Sequence, residues 1–129
     1  LAETLPLAVV GAHLSGMPLN HELTSRGARL LERCQSADNY RLYALANSQP
    51  PKPALVRDSQ GQPIELELWA LPKSGWADFL AGVPAPLGLG TVTLADGRQV
   101  KGFICEPSAL NGALDITEFG GWRAYLASR

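Results

Sequence analysis

A histidine stands inside a glycine-punctuated segment near the start of the sequence. Residues 9–20 read VVGAHLSGMPLN, so His13 lies between Gly11 and Gly16, shortly after a β-branched pair. A strand that ends in such a turn presents backbone N–H groups together with one titratable side chain. We expect both glycines to adopt positive φ and to let the backbone approach a ligand closely. The segment therefore predicts an anion-binding pocket suited to a carboxylate.

The same pattern also has a purely structural interpretation. Glycines after a strand most often form an ordinary turn. A single histidine beside apolar residues is more often a hydrogen-bonded packing residue than a catalyst. The spacing alone leaves both interpretations of His13 open.

The composition describes one globular domain covering residues 1–129. Hydrophobic residues make up 46% and charged residues 18% of the chain, which is sufficient for a single core. The 11 basic and 12 acidic side chains give a net charge of -1 without a basic cluster, so we expect no nucleic-acid partner. No apolar run approaches the ~20 residues of a membrane span, and no secretory signal is recognised. We therefore expect a cytoplasmic protein that does not contact a membrane.

The cysteines and histidines do not form a metal-binding motif. Cys34, Cys105, His13 and His21 stand at unrelated spacings that match no zinc template. We expect no metal, no cofactor and two reduced thiols. The sequence begins with Leu1 instead of Met, which indicates a domain cut from a longer enzyme. It is compatible with a homo-oligomer but does not determine one.

Many short strands and few helices are expected along the chain. Strands are predicted at residues 7–10, 40–46, 54–57, 64–70, 91–94 and 99–105, short helices at 20–27, 76–80 and from Asp115 onwards, and a loop at 84–90. Two hairpins are predicted, one across Asp58–Gly61 and one across the turn Asp96-Gly97. Alternation in the first hairpin places Glu65 and Glu67 on a face toward water. These elements predict an α+β fold built on a small, mostly antiparallel β-barrel with a few short flanking helices.

Several blocks of sequence, in the same order, resemble the C-terminal domain of allophanate hydrolase. The blocks are VGAHLSGMPLN (10–20), YRLYAL (40–45), IELELW (64–69), PAPLGLG (84–90), GFICE (102–106) and DITEFGGWRAYL (115–126). In that family an amidase domain first deaminates allophanate, and the C-terminal domain then decarboxylates the resulting N-carboxycarbamate. The resemblance implies a gamma-glutamyl cyclotransferase-like fold, an amidase domain or protein as partner, and a strand at 28–34, where propensity alone also suits a helix.

The reaction implied by this resemblance needs a proton donor. N-carboxycarbamate is a small dicarboxylate, and its nitrogen must accept a proton as carbon dioxide leaves. Histidine is well matched to such a transfer near neutral pH. The resemblance supports His13 as the catalytic acid or as a group that orients the substrate. The backbone amides of Gly11, Ala12 and Leu14 are candidates to hold one carboxylate.

Other residues are weaker candidates, each with a structural alternative. Asn20 is a candidate to orient His13 or the substrate, or it caps a helix, and Tyr40 is a candidate donor to the second carboxylate, or it packs in the core. The loop residues Pro86, Leu87 and Gly88 either line the pocket or form a rigid connector. Arg41 and Lys101 are conceivable counter-charges but are expected to face solvent. Packing is expected for Met17, which could also wall the pocket, and for Trp69 and Trp122.

Two functions of other classes stay open beside decarboxylation. A gamma-glutamyl cyclotransferase needs a carboxylate base after the middle hairpin, yet residues 79–90 contain no Asp or Glu, and Asp78 lies just upstream. The other alternative is a non-catalytic module that supports an amidase and its oligomerisation. The chain has no amidase signature of its own, so we do not expect it to release ammonia from allophanate.

Overall fold

The computed structural model describes residues 3–129, which form two β-sheets and three short α-helices. The strands are β1 (Thr4–Val9), β2 (Arg29–Gln35), β3 (Tyr40–Ala44), β4 (Pro53–Arg57), β5 (Glu65–Pro72), β6 (Leu87–Thr93), β7 (Gln99–Cys105) and β8 (Leu114–Asp115). The helices are α1 (His21–Thr24), α2 (Lys73–Ala81) and α3 (Trp122–Ala127), with 3₁₀ turns at Pro107–Leu110 and Thr117–Phe119. This content confirms an α+β fold rich in short strands.

The larger sheet has the order β2-β5-β1-β7-β6, and the smaller has the order β4-β3-β8. β1 is antiparallel to β5 and parallel to β7, whereas the remaining pairs are antiparallel. The predicted barrel is not confirmed, because no closed barrel is found in the part of the chain that the structure describes. A closed barrel would pair the two edge strands, β2 and β6, along a full ladder. Instead, one isolated bridge joins Ser36, just after β2, to Leu94, just after β6.

The predicted hairpin of residues 54–57 with 64–70 is wrong. β4 pairs with β3, and β5 lies between β1 and β2. The turn itself forms, with the Gly61 N–H donating to the Asp58 carbonyl at 3.0 Å. A Cβ on Gly61 would lie 2.3 Å from the carbonyl oxygen of Tyr40, so the turn packs tightly on β3. The chain therefore stays with the smaller sheet through this turn and crosses to the larger one after it.

Other local predictions have mixed outcomes. The hairpin of β6 with β7 is confirmed, with Gly97 at φ 92° in its turn, and residues 29–35 form the strand that the resemblance implied. The loop predicted at 84–90 is wrong from Leu87 onwards, because β6 already pairs with β7 there. The helix predicted at 20–27 is shortened to the single turn α1, and Gly27 follows it at φ 81°.

The predicted helix start at Asp115 is also wrong. Asp115 belongs to β8, and its Oδ1 accepts hydrogen bonds from the N–H and hydroxyl of Thr117 at 3.0 and 2.6 Å. These bonds stabilise a 3₁₀ turn, which Gly120 ends in a left-handed conformation at φ 74°. The closing helix α3 begins only at Trp122.

One hydrophobic core spans both sheets. It contains the predicted packing residues Trp69 and Trp122, and Met17 packs against it. Glu65 is exposed as predicted, but the same prediction is wrong for Glu67, whose exposed fraction is 1%. The reason is that both faces of β5 are covered, since the six consecutive residues 66–71 are all buried.

Candidate active site

The segment after β1 forms one wall of a cavity of about 160 Å³. The remaining walls come from separate parts of the chain, namely Glu22 in α1, residues 50–53 leading into β4, residues 82–84 after α2, Leu87 and Phe103. Most of these side chains are apolar. The few polar groups in the wall therefore determine what the cavity can bind.

The backbone of residues 11–13, which lines the cavity, has occupied carbonyl groups and free N–H groups. Its three carbonyl groups are occupied, accepting hydrogen bonds from the Leu14 N–H, the Leu19 N–H and the Asn20 Nδ2 group at 3.0, 2.8 and 2.9 Å. The three N–H groups have no acceptor among the hydrogen bonds of residues 3–129. Consecutive amides without acceptors form a concave site for an anion.

The imidazole of His13 lies in the same cavity wall, packed between two aromatic rings. It stacks on Phe103 with ring centres 5.1 Å apart and meets Phe79 edge-on at 5.5 Å. Its Nε2 lies 2.6 Å from Oε1 of Glu22. The carboxylate accepts the Nε2 proton in this arrangement, and no residue in the described range bonds to Nδ1.

Burial dominates the protonation of this histidine. Loss of hydration lowers the pKa of His13 below its usual range, although the hydrogen bond and charge of Glu22 act to raise it. The charge of Lys52 lowers the pKa further, with a smaller contribution from His21. The imidazole of His13 therefore favours its neutral form near neutral pH.

Lys52 supplies positive charge to the cavity wall. It is half-buried, and within residues 3–129 its ammonium group makes no ion pair. The next residue, Pro53, packs so closely on Gly11 that a Cβ there would lie 2.2 Å from its Cδ. Positive φ is confirmed for Gly16 at 79° but is wrong for Gly11, where glycine is required by the approach of the proline.

Comparisons with known proteins show the family to which the chain belongs. A family profile described as "Allophanate hydrolase C-terminal domain" matches residues 5–127. The chain belongs to this family. It is 45% identical to urea amidolyase of Saccharomyces cerevisiae over 128 residues, which cover 95% of this chain and 7% of the yeast protein. The solved structure of Kluyveromyces lactis allophanate hydrolase is 43% identical with a TM-score of 0.94, covering 98% of this chain and 21% of that chain.

The allophanate hydrolase C-terminal domain thus spans a small part of the length of both relatives. A more distant likeness concerns the fold alone. A solved gamma-glutamyl cyclotransferase is 15% identical with a TM-score of 0.58, covering 81% of this chain and 68% of that chain. The fold is therefore gamma-glutamyl cyclotransferase-like.

Four predicted site residues of this allophanate hydrolase C-terminal domain line the cavity: Gly11, Ala12, His13 and Leu87. Asn20 lies directly behind the turn. Its side chain donates to the His13 carbonyl and makes no capping hydrogen bond to α1. Of the alternatives for Asn20, the geometry therefore supports a role in orienting His13.

Other predicted site residues lie outside the cavity. Leu14 is buried in the core and its N–H already donates to Gly11, which leaves no donor for a ligand. Tyr40 is also buried, and its hydroxyl accepts hydrogen bonds from Arg57 and from the Thr93 N–H at 2.9 and 3.0 Å. Pro86 lines a neighbouring cavity of about 410 Å³, and Gly88 lines neither cavity.

Sequence patterns do not reveal two charged groups in the cavity wall, Glu22 and Lys52. Glu22 falls inside the helix predicted at residues 20–27, and Lys52 stands in the proline-rich stretch PPKP at residues 50–53. The counter-charges that were considered point elsewhere, because Arg41 pairs with Asp115 at 2.8 Å and Lys101 donates to Thr91 Oγ1 at 3.3 Å. Neither Glu22 nor Lys52 carries a local sequence signal that marks it as part of the site.

Three further observations limit the chemistry. Asp78 pairs with Arg26 at 2.7 Å outside the cavity wall, so the structure does not supply the carboxylate base that a cyclotransferase needs at that position. Residues 3–129 contain no group of three or more His, Cys, Asp or Glu able to hold a metal ion. Cys34 and Cys105 are unpaired, and burial raises the pKa of both thiols.

Within residues 3–129, no helix has the length and apolar character to cross a membrane.

Proposed function

We propose that this domain decarboxylates N-carboxycarbamate after an amidase has removed ammonia from allophanate. The observation that carries the proposal is the set of three N–H groups without acceptors, on residues 11–13, beside the imidazole of His13 in one cavity. Fixed amides stabilise a carboxylate without reorganisation, and an imidazole supplies the proton.

The cavity suits a small dianion. Its volume of about 160 Å³ lies below the ~300–1,000 Å³ typical of sites for drug-sized ligands. One carboxylate accepts hydrogen bonds from the free amides of residues 11–13. The other lies within reach of the ammonium group of Lys52, which balances its charge. A ligand with two carboxylates on one central atom satisfies both sets of groups.

The chemical step transfers one proton. The pair of electrons in one C–N bond moves to nitrogen, that carboxylate departs as CO₂, and nitrogen takes a proton, so the dianion plus H⁺ gives carbamate and CO₂. His13 Nδ1 is the donor, because Nε2 is held by Glu22. The dianion favours the imidazolium form that burial disfavours in the empty site, so the acid is formed when the substrate binds.

The partner proposed for this domain is an amidase domain or protein that produces the substrate. The extent of the match supports a fused arrangement, because the chain spans only 7% of the yeast urea amidolyase. We place the activity in the breakdown of urea nitrogen in the cytoplasm, with carbamate passing on to ammonia and carbon dioxide.

Malonate, in which CH₂ replaces the central N–H, tests the binding site directly. Titration should shift the amide signals of Gly11, Ala12 and His13 first. The activity test supplies N-carboxycarbamate from a separate amidase and measures CO₂ release above the uncatalysed background. His13→Ala should lower this rate by about 10²-fold or more. The exposed His21 offers the matched control, and His21→Ala should change the rate far less, since His21 makes only the smallest contribution to the pKa of His13.

Two results would overturn the proposal. One is a malonate footprint on a different surface. The other is a CO₂ release rate that does not change when His13→Ala is compared with the original chain at equal folded concentration. The second result would leave the domain as a non-catalytic module beside the amidase.

A further inference from the structure

Glu67 is a buried carboxylate that the proposed reaction does not use. It lies in β5 opposite Val9, the last residue of β1, with an exposed fraction of 1%. Its charge is retained there. Burial acts to raise the pKa of Glu67, but hydrogen bonds from Ser15, Trp69 and Arg33 lower it overall.

Both carboxylate oxygens of Glu67 bind the same residue. Oε1 accepts from the Ser15 backbone N–H at 2.8 Å, and Oε2 accepts from the Ser15 hydroxyl at 2.8 Å. The indole N–H of Trp69 donates to Oε1 at 3.0 Å. Arg33 and Arg123 donate to Oε2 at 3.2 and 3.3 Å. The carboxylate is thus fully hydrogen-bonded, as a buried charge must be.

Arg123 completes the attachment of Ser15. Its Nη2 group donates to the Ser15 carbonyl and lies 3.0 Å from the Ser15 hydroxyl. The N–H, hydroxyl and carbonyl of Ser15 are therefore all bound by Glu67 and Arg123. Two residues earlier, the carbonyl of His13 is bound by Asn20. The bend of residues 11–15 is consequently held at Ser15 by Glu67 and Arg123 and at His13 by Asn20.

We propose that Glu67 is a positioning residue for His13, acting through Ser15 to hold the bend that carries the imidazole and the three free amides. The inference rests on the proposed function of this bend. A buried ion pair is weak evidence for stability, since an apolar residue at such a position is often equally stable. Both oxygens of the Glu67 carboxylate bind one turn residue, Ser15. This arrangement fits a role in positioning the turn better than a role in stabilising the core in general.

The test uses Glu67→Gln, which keeps the shape and removes the charge and one acceptor. Glu65→Gln is the matched control, because Glu65 lies on the same strand, is exposed, and only approaches Arg123 at 3.9 Å. Three quantities are measured on each folded variant: the melting temperature, the Kd for malonate and the pKa of the His13 ring by NMR.

Glu67→Gln is expected to weaken malonate binding by about tenfold, because a small displacement of positioned groups has a large effect. It is also expected to move the pKa of His13 upward toward its usual range as the bend opens to water. Glu65→Gln should change neither quantity. A Glu67→Gln variant that melts earlier but keeps the original malonate Kd and His13 pKa would overturn the proposal.

Ser15→Ala provides a second route if Glu67→Gln does not fold. It removes the hydrogen bonds of the hydroxyl and keeps the N–H donor. We therefore expect a weaker malonate Kd and a higher His13 pKa, both by smaller amounts than in Glu67→Gln. An unchanged His13 pKa and Kd in that variant would likewise overturn the proposal. If the original chain does not bind malonate, the proposed function fails, whereas the pKa of His13 still decides whether Glu67 positions the ring.

Discussion

His13 and Glu22 are joined by a hydrogen bond of 2.6 Å between Nε2 and Oε1. The side chain of His13 is 13% exposed, and the side chain of Glu22 is 38% exposed. The pair therefore connects a ring inside the cavity to a charge that remains partly hydrated. This geometry fixes the ring through Nε2 and leaves Nδ1 without a partner among residues 3–129.

Replacing Glu22 by Gln should lower the pKa of His13 further. The carboxylate raises this pKa by its hydrogen bond and charge, so its removal leaves burial with less opposition. We expect CO₂ release to fall by about tenfold or more, because less of the ring is protonated when substrate binds. NMR titration of the imidazole and the coupled amidase assay measure the two effects. Glu118→Gln, at an exposed position, should affect neither.

Malonate binding should take up a proton. Without a ligand, burial lowers the pKa of His13, and the charges of Lys52 and His21 lower it further, whereas Glu22 raises it. A bound dianion raises this pKa. Between these two pKa values the complex binds more protons than the free protein. The Kd therefore decreases as pH falls across that window and levels off below the lower value.

Calorimetry in buffers of different ionisation enthalpy, where malonate stays doubly ionised, counts the protons taken up. His13→Gln should abolish the uptake. Proton release on binding, or uptake that persists in His13→Gln, would contradict this assignment.

Lys52→Met should weaken malonate binding by about tenfold or more, because a hydrogen bond to a charged group contributes ~1.5–3 kcal/mol. The dependence of Kd on salt should also decrease, since one opposite charge is lost. Lys101→Met is the matched control, as Lys101 is exposed and its ammonium group lies beside Thr91 on the hairpin. Equal losses in both variants would show a general charge effect and not a site.

Gly11→Ala should destabilise the fold. The new Cβ would lie 2.2 Å from Pro53 Cδ, and such overpacking costs about 1–3 kcal/mol. We expect the melting temperature to fall by about 4 °C for each kcal/mol. Gly88→Ala, where no atom lies within 4 Å of the added Cβ, should be nearly neutral. Combining Gly11→Ala with Pro53→Ala should restore much of the loss.

The part of the site that could be predicted from sequence is the part encoded locally. His13 and its free amides belong to one short segment, where residue types and spacing indicate a turn and its donors. Glu22 and Lys52 reach the cavity through the path of the chain, and neither position carries a local signal. Tyr40 looked similar to a ligand residue, but its hydroxyl is already occupied by Arg57 and the Thr93 N–H.

The fold shows the same division. The β6–β7 hairpin follows from its Asp-Gly turn, whereas the partners of β4 and β5 depend on contacts made far along the chain. The alternation in β5 correctly separates Glu65 from Leu66. It does not reveal that both faces are covered, which is why Glu67 was expected to face water. A period-two pattern identifies which residues of a strand share a face of the sheet. It does not show whether one face or both faces are covered by other parts of the protein.

The contact of Ser15 with Arg123 joins positions 108 residues apart. During synthesis, the bend emerges early but its clamp emerges only when α3 has been made. A nascent segment that lacks residue 123 therefore carries His13 without the contacts that Arg123 makes to Ser15. The order of synthesis thus makes this contact one of the last that the fold can form.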